Sequence, residues 1–127
     1  MNKNTKNMIA LVDDNMANLK LLEMHLKDSY NTLLFTGGKA FLQYLNSDQA
    51  KPDMVLLDRM MPGISGDDVC NTMKNNEATS NIPIIMCSAL TSESDIEMGI
   101  TAGADGYLVK PVSRTDLFDE LSKFFKQ

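Results

Sequence analysis

The stretch MIALVDD at residues 8–14 decides the fold, because it is a short apolar run that ends in two adjacent aspartates. The pattern returns in MVLLD at residues 54–58, and again in YLVKP at residues 107–111, where a lysine replaces the acid. Short runs that are continuously apolar predict strands covered on both faces of a parallel sheet. The carboxyl ends of parallel strands share one edge, so the charged side chains that follow these strands are expected to converge there.

Four charged residues make up this predicted site, namely Asp13, Asp14, Asp58 and Lys110. Carboxylates from distant parts of the chain repel one another at a single point unless a cation lies among them. Mg²⁺ prefers oxygen ligands and keeps several waters, so two or three carboxylates are enough to bind it. The sequence therefore predicts a Mg²⁺-dependent phosphate site.

Helical patterns alternate with five predicted strands along the chain. The strands are predicted at residues 8–12, 31–35, 53–57, 82–87 and 105–109, and the helices around Leu19–Leu26, Phe41–Leu45, residues 66–75 and 92–102, and from Ser113 onward. The fourth helix is the weakest, because Ile96, Ile100 and Ala102 form its only clear apolar stripe and Gly99 interrupts it at a cost of about 1 kcal/mol. Strand–helix alternation with short connections predicts an α/β domain.

Composition narrows the class of protein. The 127 residues fit one domain, which we place at residues 8–127 after a flexible leader at residues 1–7. The apolar runs are too short to span a membrane, and the net charge of −5 argues against direct binding to nucleic-acid phosphates. Cys70 and Cys87 have no second ligand group nearby and are expected to be free thiols, which is the default in the cytoplasm.

Four motifs that follow one another along the chain resemble receiver domains of bacterial-type two-component response regulators. They are VDDN at residues 12–15, LDRMMPGISG at 57–66, SA at 88–89 and YLVKP at 107–111. The resemblance extends from about residue 8 to residue 126, and four motifs in order at strand ends are far more specific than any one of them. It implies an α/β, flavodoxin-like (βα)5 three-layer sandwich with a five-stranded parallel sheet in the order 2-1-3-4-5.

The resemblance also assigns roles to the acidic residues. Asp58 would be the phosphoacceptor, whose carboxylate attacks phosphorus to form an aspartyl phosphate. Asp13, Asp14, Asp58 and the backbone carbonyl of Met60 would bind Mg²⁺, for which Mn²⁺ could substitute.

The remaining site residues would act on the phosphoryl group. Lys110, Ser88 and Ala89 would contact its oxygens, because phosphoryl transfer depends mostly on positioning and charge neutralisation. Ser88 and Tyr107 would be switch residues, although for Tyr107 the role of an ordinary half-buried strand tyrosine stays open. The Lys110–Pro111 peptide bond would be cis, as is usual in the family.

The implied function is a phosphorylation-dependent signalling switch and not an enzyme, apart from self-catalysed phosphorylation and dephosphorylation. A histidine kinase or histidine phosphotransfer protein would be the donor, and a downstream protein would bind the face formed by helix 4, strand 5 and helix 5. The sequence ends soon after the fifth predicted helix, so no output domain is expected in it. A stand-alone receiver and one excised from a larger regulator or hybrid kinase both remain open.

Two residues beside Asp58 depart from common family patterns. Arg59 occupies a position that is more often apolar, and we expect a solvated arginine near the mouth of the site. Met60 replaces a polar side chain of some relatives, which predicts slow self-dephosphorylation. We expect Asn15 and Asn18 to be a helix cap and a helix-surface residue.

Three alternative functions belong to similar folds. A haloacid-dehalogenase-like phosphatase needs an acid two residues after its nucleophile, where this chain has Met60. A flavodoxin-type flavin site would be repelled by Asp13 and Asp14. An unphosphorylated structural scaffold is the third alternative, against which the complete set of site residues argues.

Overall fold

A computed structural model describes residues 6–125, in which five strands alternate with five helices. The elements are β1 (Met8–Val12), α1 (Met16–Leu26), β2 (Asn31–Phe35), α2 (Gly38–Leu45), β3 (Met54–Asp58), α3 (Gly66–Lys74), β4 (Ile84–Ser88), α4 (Glu93–Thr101), β5 (Gly106–Val109) and α5 (Arg114–Leu121). Side chains cap four of the helices at their amino ends, namely those of Asn15, Ser65, Ser92 and Ser113. Each accepts a hydrogen bond from the backbone N–H three residues later, which satisfies a donor that the helix leaves free.

The strands form one parallel sheet in the order β2-β1-β3-β4-β5, as the resemblance implies. The order reverses between β1 and β3, where the helices that follow these two strands leave toward opposite faces of the sheet. Val12 pairs with Leu57 across this boundary, so the residues that follow β1 lie beside the end of β3. Such a switch point leaves a crevice at the carboxyl ends of the strands, where α/β proteins bind ligands.

Two apolar cores lie on the two faces of the sheet, so the domain has three layers. On one face Ile9 and Leu11 pack with α1 and α5, and on the other Ala10 and Val12 pack with α2 and α3. This alternation follows from the period of two along a strand. All five residues of both β3 and β4 are buried, which explains why these strands are apolar almost throughout.

Most element boundaries agree with the predictions to within one residue. The strands at 8–12 and 31–35 match, whereas β3 and β4 each end one residue later than predicted. Asp58 and Ser88 are therefore the last residues of their strands and keep backbone pairing with the sheet. β4 also starts two residues later than predicted, after Pro83.

The fourth helix packs differently from the prediction. Ile100 is 46% exposed and does not belong to a buried stripe, while Gly99 is the buried residue of α4. A Cβ atom on Gly99 would lie 3.1 Å from the ring of Tyr107. The glycine that weakens the helix therefore lets α4 approach β5 closely.

The predicted leader lies largely outside the described residues, which begin at Lys6. The carbonyl of Asn7 accepts a hydrogen bond from the N–H of Asn31, so this residue is already tied to β2. Among the helices of residues 6–125, none is long and apolar enough to cross a membrane.

Candidate functional site

The acidic residues are brought together by two neighbouring strands. Asp13 directly follows β1 and Asp58 ends β3, and the parallel pairing of these strands sets the two side by side. Asp13, Asp14 and Asp58 each offer a carboxylate oxygen, and these atoms lie within 4.8 Å of one another. Asp13 and Asp58 are almost fully buried, whereas Asp14 is exposed. The structure thus brings together the three acids that the sequence predicted.

Lys110 lies between the two buried acids. Its Nζ donates hydrogen bonds to Asp13 Oδ2 at 2.9 Å and to Asp58 Oδ1 at 3.0 Å. The lysine follows β5, and its backbone N–H is fixed at 2.8 Å from the carbonyl of Ser88. The Lys110–Pro111 peptide bond is cis.

The electrostatic environment leaves Asp58 poorly stabilised as an anion. Burial raises the pKa of Asp58 from 3.8 to about 6, and the charge of Asp13 adds to this effect. The hydrogen bond from Lys110 and the backbone N–H of Met60 oppose the rise without cancelling it. For Lys110, partial burial disfavours the ammonium form, but hydrogen bonds to Asp13 and Asp58 outweigh it and the pKa is raised. A second cation would therefore find an incompletely neutralised site.

The donor set suits a hard divalent cation such as Mg²⁺. All three ligand candidates are carboxylates from the same small region, and no sulfur or imidazole ligand accompanies them in the described cluster. Mg²⁺ is commonly held by one or two carboxylates together with waters. Asp13, Asp14 and Asp58 therefore fit it, with one exposed acid on the open side of the site.

Two asparagines support the acidic cluster, and only one was predicted correctly. Asn15 caps α1 as predicted, and its backbone N–H also donates to Asp13 Oδ1 at 2.9 Å. Asn18 is not merely a helix-surface residue, because its Nδ2 donates to Asp13 Oδ2 at 3.3 Å. The capped first turn of α1 places Asn18 over Asp13, a contact at a spacing of five residues that the sequence pattern did not indicate.

Ser88 and Ala89 line an open cavity of about 270 Å³ that also contains the acids and Lys110. The Ser88 side chain is buried, and its hydroxyl accepts a hydrogen bond from the backbone N–H of Leu90 at 3.1 Å. Within residues 6–125 this hydroxyl donates no hydrogen bond, so its proton can point to an oxygen in the cavity. Met60 also lines the cavity, and it is 65% exposed.

Arg59 is buried, so the prediction of a solvated arginine was wrong. Arg59 is only 4% exposed, and its Nε and Nη2 donate hydrogen bonds to the two carboxylate oxygens of Asp67 at 2.8 and 3.1 Å. Nη1 donates to the backbone carbonyl of Asp95 and lies 3.5 Å from the hydroxyl of Tyr107. The guanidinium therefore turns away from the mouth of the site and lies between α3, α4 and β5.

Tyr107 is half-buried on β5, and its hydroxyl donates to the carbonyl of Leu90 at 2.9 Å. Leu90 belongs to the connection between β4 and α4, residues 89–92, which we call the β4–α4 loop. Tyr107 therefore joins β5 to the loop that follows Ser88.

Gly66 allows α3 to begin directly behind the phosphoacceptor candidate. A Cβ atom at this position would lie 2.7 Å from the Cα of Arg59 and still closer to the carbonyl oxygen of Asp58. The Gly66 N–H donates to the carbonyl of Arg59 at 2.9 Å, which fixes the turn between β3 and α3. The start of α3 therefore lies in direct contact with the backbone of Asp58 and Arg59.

Comparison with known proteins identifies the family of this arrangement. Residues 9–122 match the family described as the response regulator receiver domain. The chain is 34% identical over 110 residues to the DNA-binding response regulator MtrA of Mycolicibacterium paratuberculosis, covering 86% of this chain and 47% of MtrA. It is 37% identical over 111 residues to the response regulator PleD of Caulobacter vibrioides, covering 87% of this chain and 24% of PleD. The chain therefore spans about half of MtrA and about a quarter of PleD.

Among solved structures, the receiver domain of the sensor histidine kinase PA1611 from Pseudomonas aeruginosa superposes with a TM-score of 0.84. The two are 26% identical, and the match covers 94% of this chain and 98% of that domain. That structure holds a magnesium ion coordinated in its active-site cleft. In the described part of this chain, Asp13, Asp14 and Asp58 form the cluster of acids that could hold a metal ion.

Proposed function

This chain belongs to the receiver-domain family of response regulators, and we propose that Asp58 is the residue that accepts its phosphoryl group. The observation that carries the proposal is the position of Asp58: its buried carboxylate lies among two further acids and Lys110, and opens into the cavity lined by Ser88. Receiver domains act as phosphorylation-controlled switches in two-component signalling, so a residue that accepts the phosphoryl group is expected in this chain.

In the proposed reaction, an oxygen of Asp58 attacks the phosphorus of a phosphohistidine. The new O–P bond forms as the P–N bond to the imidazole breaks, and the imidazole leaves with its electron pair and takes a proton from solvent. Asp58 has a pKa of about 6, so it is mostly a carboxylate at neutral pH, as a nucleophile must be. Lys110 is already within hydrogen-bond distance and would neutralise one phosphoryl oxygen.

Asp13, Asp14, Asp58 and the backbone carbonyl of Met60 would hold Mg²⁺, and Mn²⁺ offers a similar preference for oxygen ligands. When bound, the cation supplies positive charge that offsets the phosphoryl oxygens. Ser88 would donate its hydroxyl proton to a second phosphoryl oxygen. The backbone N–H of Ala89, the next residue, would donate a hydrogen bond to a phosphoryl oxygen as well. These roles leave each charged oxygen with a partner.

The proposed output is a change in the surface made by α4, β5 and α5. An aspartyl phosphate carries about −1.5 to −2 charges at neutral pH, and we infer that it draws Ser88 and the β4–α4 loop toward itself. Tyr107 would respond because its hydroxyl is bonded to the carbonyl of Leu90 in that loop. The exposed side chain of Val109 on β5 could then contact a downstream protein.

The donor would be a histidine kinase or a histidine phosphotransfer protein, and a cytoplasmic location belongs to the same proposal. The exposed side chain of Met16 follows Asn15, which lines the cavity, so it offers an apolar contact that a donor protein could cover. The exposed Met60 offers no carboxylate to act as a general acid, and nothing in the comparisons favours the haloacid-dehalogenase-like phosphatase. Slow self-dephosphorylation follows if Met60 cannot orient a water for in-line attack.

The test is labelling with a small phosphodonor, read by intact mass. The unaltered chain should gain the mass of one phosphoryl group in the presence of Mg²⁺, and none with a chelator. Asp58→Asn should not be labelled, while Asp48→Asn, which changes an exposed acid, should be labelled like the unaltered chain. Equal labelling of the Asp58→Asn variant would overturn the proposal.

A further inference from the structure

Met60 places an exposed thioether in the wall of the cavity that contains the phosphoacceptor. The residue is 65% exposed and lines this cavity together with Asp58, Ser88 and Lys110. Its backbone N–H donates a hydrogen bond to Asp58, which keeps the residue beside the carboxylate. The chemistry proposed above uses the backbone of Met60 and gives its side chain no active part.

The other sulfur atoms of the described residues are either buried or outside this cavity. Met61, the next residue, is 8% exposed and packs in the core against α2 and α3. Both cysteines are buried. Within residues 6–125, the other exposed methionines are Met16, Met24 and Met98, and none of them lines the cavity. An oxidant that enters the cavity from solvent therefore meets the thioether of Met60.

The position of this side chain bears on hydrolysis of an acyl phosphate. Asp58 is 5% exposed, so its bond to phosphorus would point outward, toward the open side of the cavity. The attacking and leaving oxygens of a phosphoryl transfer lie roughly in line, so a hydrolytic water must approach from that open side. Met60 is exposed on the same side, but a thioether sulfur is only a weak hydrogen-bond acceptor and holds such a water poorly.

We propose that Met60 is a redox-sensitive modification site, at which oxidation of the thioether to the sulfoxide by a peroxide shortens the lifetime of the Asp58 phosphate. One peroxide oxygen bonds to sulfur as the O–O bond breaks, so the sulfur is oxidised and hydrogen peroxide is reduced to water. The sulfoxide oxygen accepts a hydrogen bond from a water and holds it for in-line attack on phosphorus. This inference rests on the proposed function.

Hydrolysis then restores the unphosphorylated residue. The water oxygen bonds to phosphorus as the bond to Asp58 breaks, the carboxylate is regenerated, and the proton of the water leaves with inorganic phosphate or solvent. The thioether of Met60 belongs to neither apolar core, so its oxidation disturbs no core packing. Methionine sulfoxide reductases reverse the oxidation, which makes the modification reversible.

The experiment compares the half-life of the acyl phosphate before and after oxidation. The protein is treated with hydrogen peroxide, freed of it, phosphorylated with a small phosphodonor and Mg²⁺, and followed by intact mass once the donor is removed. The test variant combines Met16→Leu, Met24→Leu and Met98→Leu, which leaves Met60 as the exposed methionine of residues 6–125. Met60→Leu is the matched control, because it keeps the other three. Peptide mass mapping verifies the sulfoxide at position 60.

We expect oxidation to shorten the half-life of the test variant by about 3- to 10-fold, the effect of one hydrogen bond gained in the transition state. The half-life of Met60→Leu, whatever its value, should be the same before and after peroxide. Met60→Gln carries a permanent amide oxygen at a similar reach, so its half-life should be shorter than that of Met60→Leu without any oxidant. Methionine sulfoxide reductase should restore the half-life of the oxidised test variant.

Binding of beryllofluoride, a mimic of the phosphoryl group, separates a positioned water from a damaged site. With Mg²⁺ present, the test variant should bind it with the same affinity before and after oxidation, because this binding involves no attacking water. Weaker binding after oxidation would show that the sulfoxide distorts the site and would overturn the proposal.

The remaining outcomes distinguish this inference from the proposed function. An unchanged or longer half-life of the test variant, with the sulfoxide present at position 60, would overturn the role of Met60 and leave Asp58 as the phosphoacceptor. Equal shortening in Met60→Leu would also overturn it, because the effect would then come from another residue. Failure of the unaltered chain to be phosphorylated with Mg²⁺ would overturn the proposed function and this inference together.

Discussion

Replacing Asp58 with asparagine should stabilise the metal-free protein. Asp58 is 5% exposed, and burial raises its pKa from 3.8 to about 6, so the native state penalises its charged form. At about 1.4 kcal/mol per pH unit, the penalty at neutral pH has an upper limit of about 3 kcal/mol. Asparagine has nearly the same shape without the charge, but it gives up the ion pair with Lys110. We therefore expect a net gain of about 1–3 kcal/mol.

The gain should depend on pH in a defined direction. Between pH 3.8 and about 6 the native state binds the Asp58 proton more strongly than the unfolded state does. The stability of the unaltered chain therefore falls as pH rises through this window, and below it the penalty is absent. The advantage of Asp58→Asn should thus be full above about pH 6.5 and should disappear near pH 4.

Mg²⁺ should reduce the stability advantage of Asp58→Asn. A cation that binds only the native state adds about 1.4 kcal/mol of stability at a concentration ten times its dissociation constant. The unaltered chain should gain this amount, whereas Asp58→Asn, which lacks one ligand, should gain less. The difference between the two proteins should therefore shrink or change sign when Mg²⁺ replaces the chelator.

Urea denaturation at several pH values, with chelator and with Mg²⁺, measures all three effects. A gain of about 2 kcal/mol moves the urea midpoint upward by about 1 M, since the slope is about 1–3 kcal/mol per M. Asp48→Asn is the control, since it removes the charge of an exposed acid outside the site. An Asp58→Asn variant that is less stable than the unaltered chain at pH 7.5 in chelator would refute the electrostatic reasoning. So would a difference that does not change with pH.

Three further predictions concern other parts of the molecule. Lys110→Ala should still bind Mg²⁺ in calorimetry but lose the beryllofluoride-dependent NMR shifts of the β4–α4 loop, and retained shifts would count against its role. Gly66→Ala should cost about 1–3 kcal/mol in urea denaturation, because its Cβ would collide with the backbone of Asp58 and Arg59. Gly37→Ala has open space around it but replaces the N-cap of α2, so it should cost less, about 0.5–1 kcal/mol. Burial raises the thiol pKa of Cys70 to about 11 and that of Cys87 to about 12. A maleimide at pH 7 should therefore label neither cysteine until urea unfolds the chain. Rapid labelling of the native protein would contradict their burial.

The apolar pattern was sufficient for the α/β class and for placing the acids at one edge of a parallel sheet, whereas the strand order came from the resemblance to receiver domains. Apolar runs with no polar alternation identified the strands, and parallel pairing then required Asp13 and Asp58 to meet at one edge. Boundaries were less secure. Asp58 and Ser88 are polar, so the apolar pattern ended one residue before the backbone pairing of β3 and β4 did.

Arg59 and Gly99 could not be interpreted from local pattern. An arginine is normally exposed, and its burial here depends on Asp67, eight residues later, and on the Asp95 carbonyl, which comes from another helix. Gly99 reduces helix propensity in isolation, whereas in the fold it is the point of closest approach to Tyr107. The burial of Arg59 and the role of Gly99 both depend on contacts between different helices and strands. The only local signal for the burial of Arg59 was Asp67. This acid directly follows Gly66, where the chain turns and α3 begins beside the end of β3.

The central claim is that the buried carboxylate of Asp58 forms the acyl phosphate, and chemical mapping of the modified residue tests it most directly. The chain is phosphorylated with a small phosphodonor and Mg²⁺, reduced with borohydride, which converts a phosphorylated aspartate to homoserine, and digested for peptide mass spectrometry. The account predicts homoserine at position 58, and none when the reaction contains a chelator. Homoserine at Asp13 or Asp14, or a stable phosphate on a serine or threonine with position 58 unmodified, would contradict it.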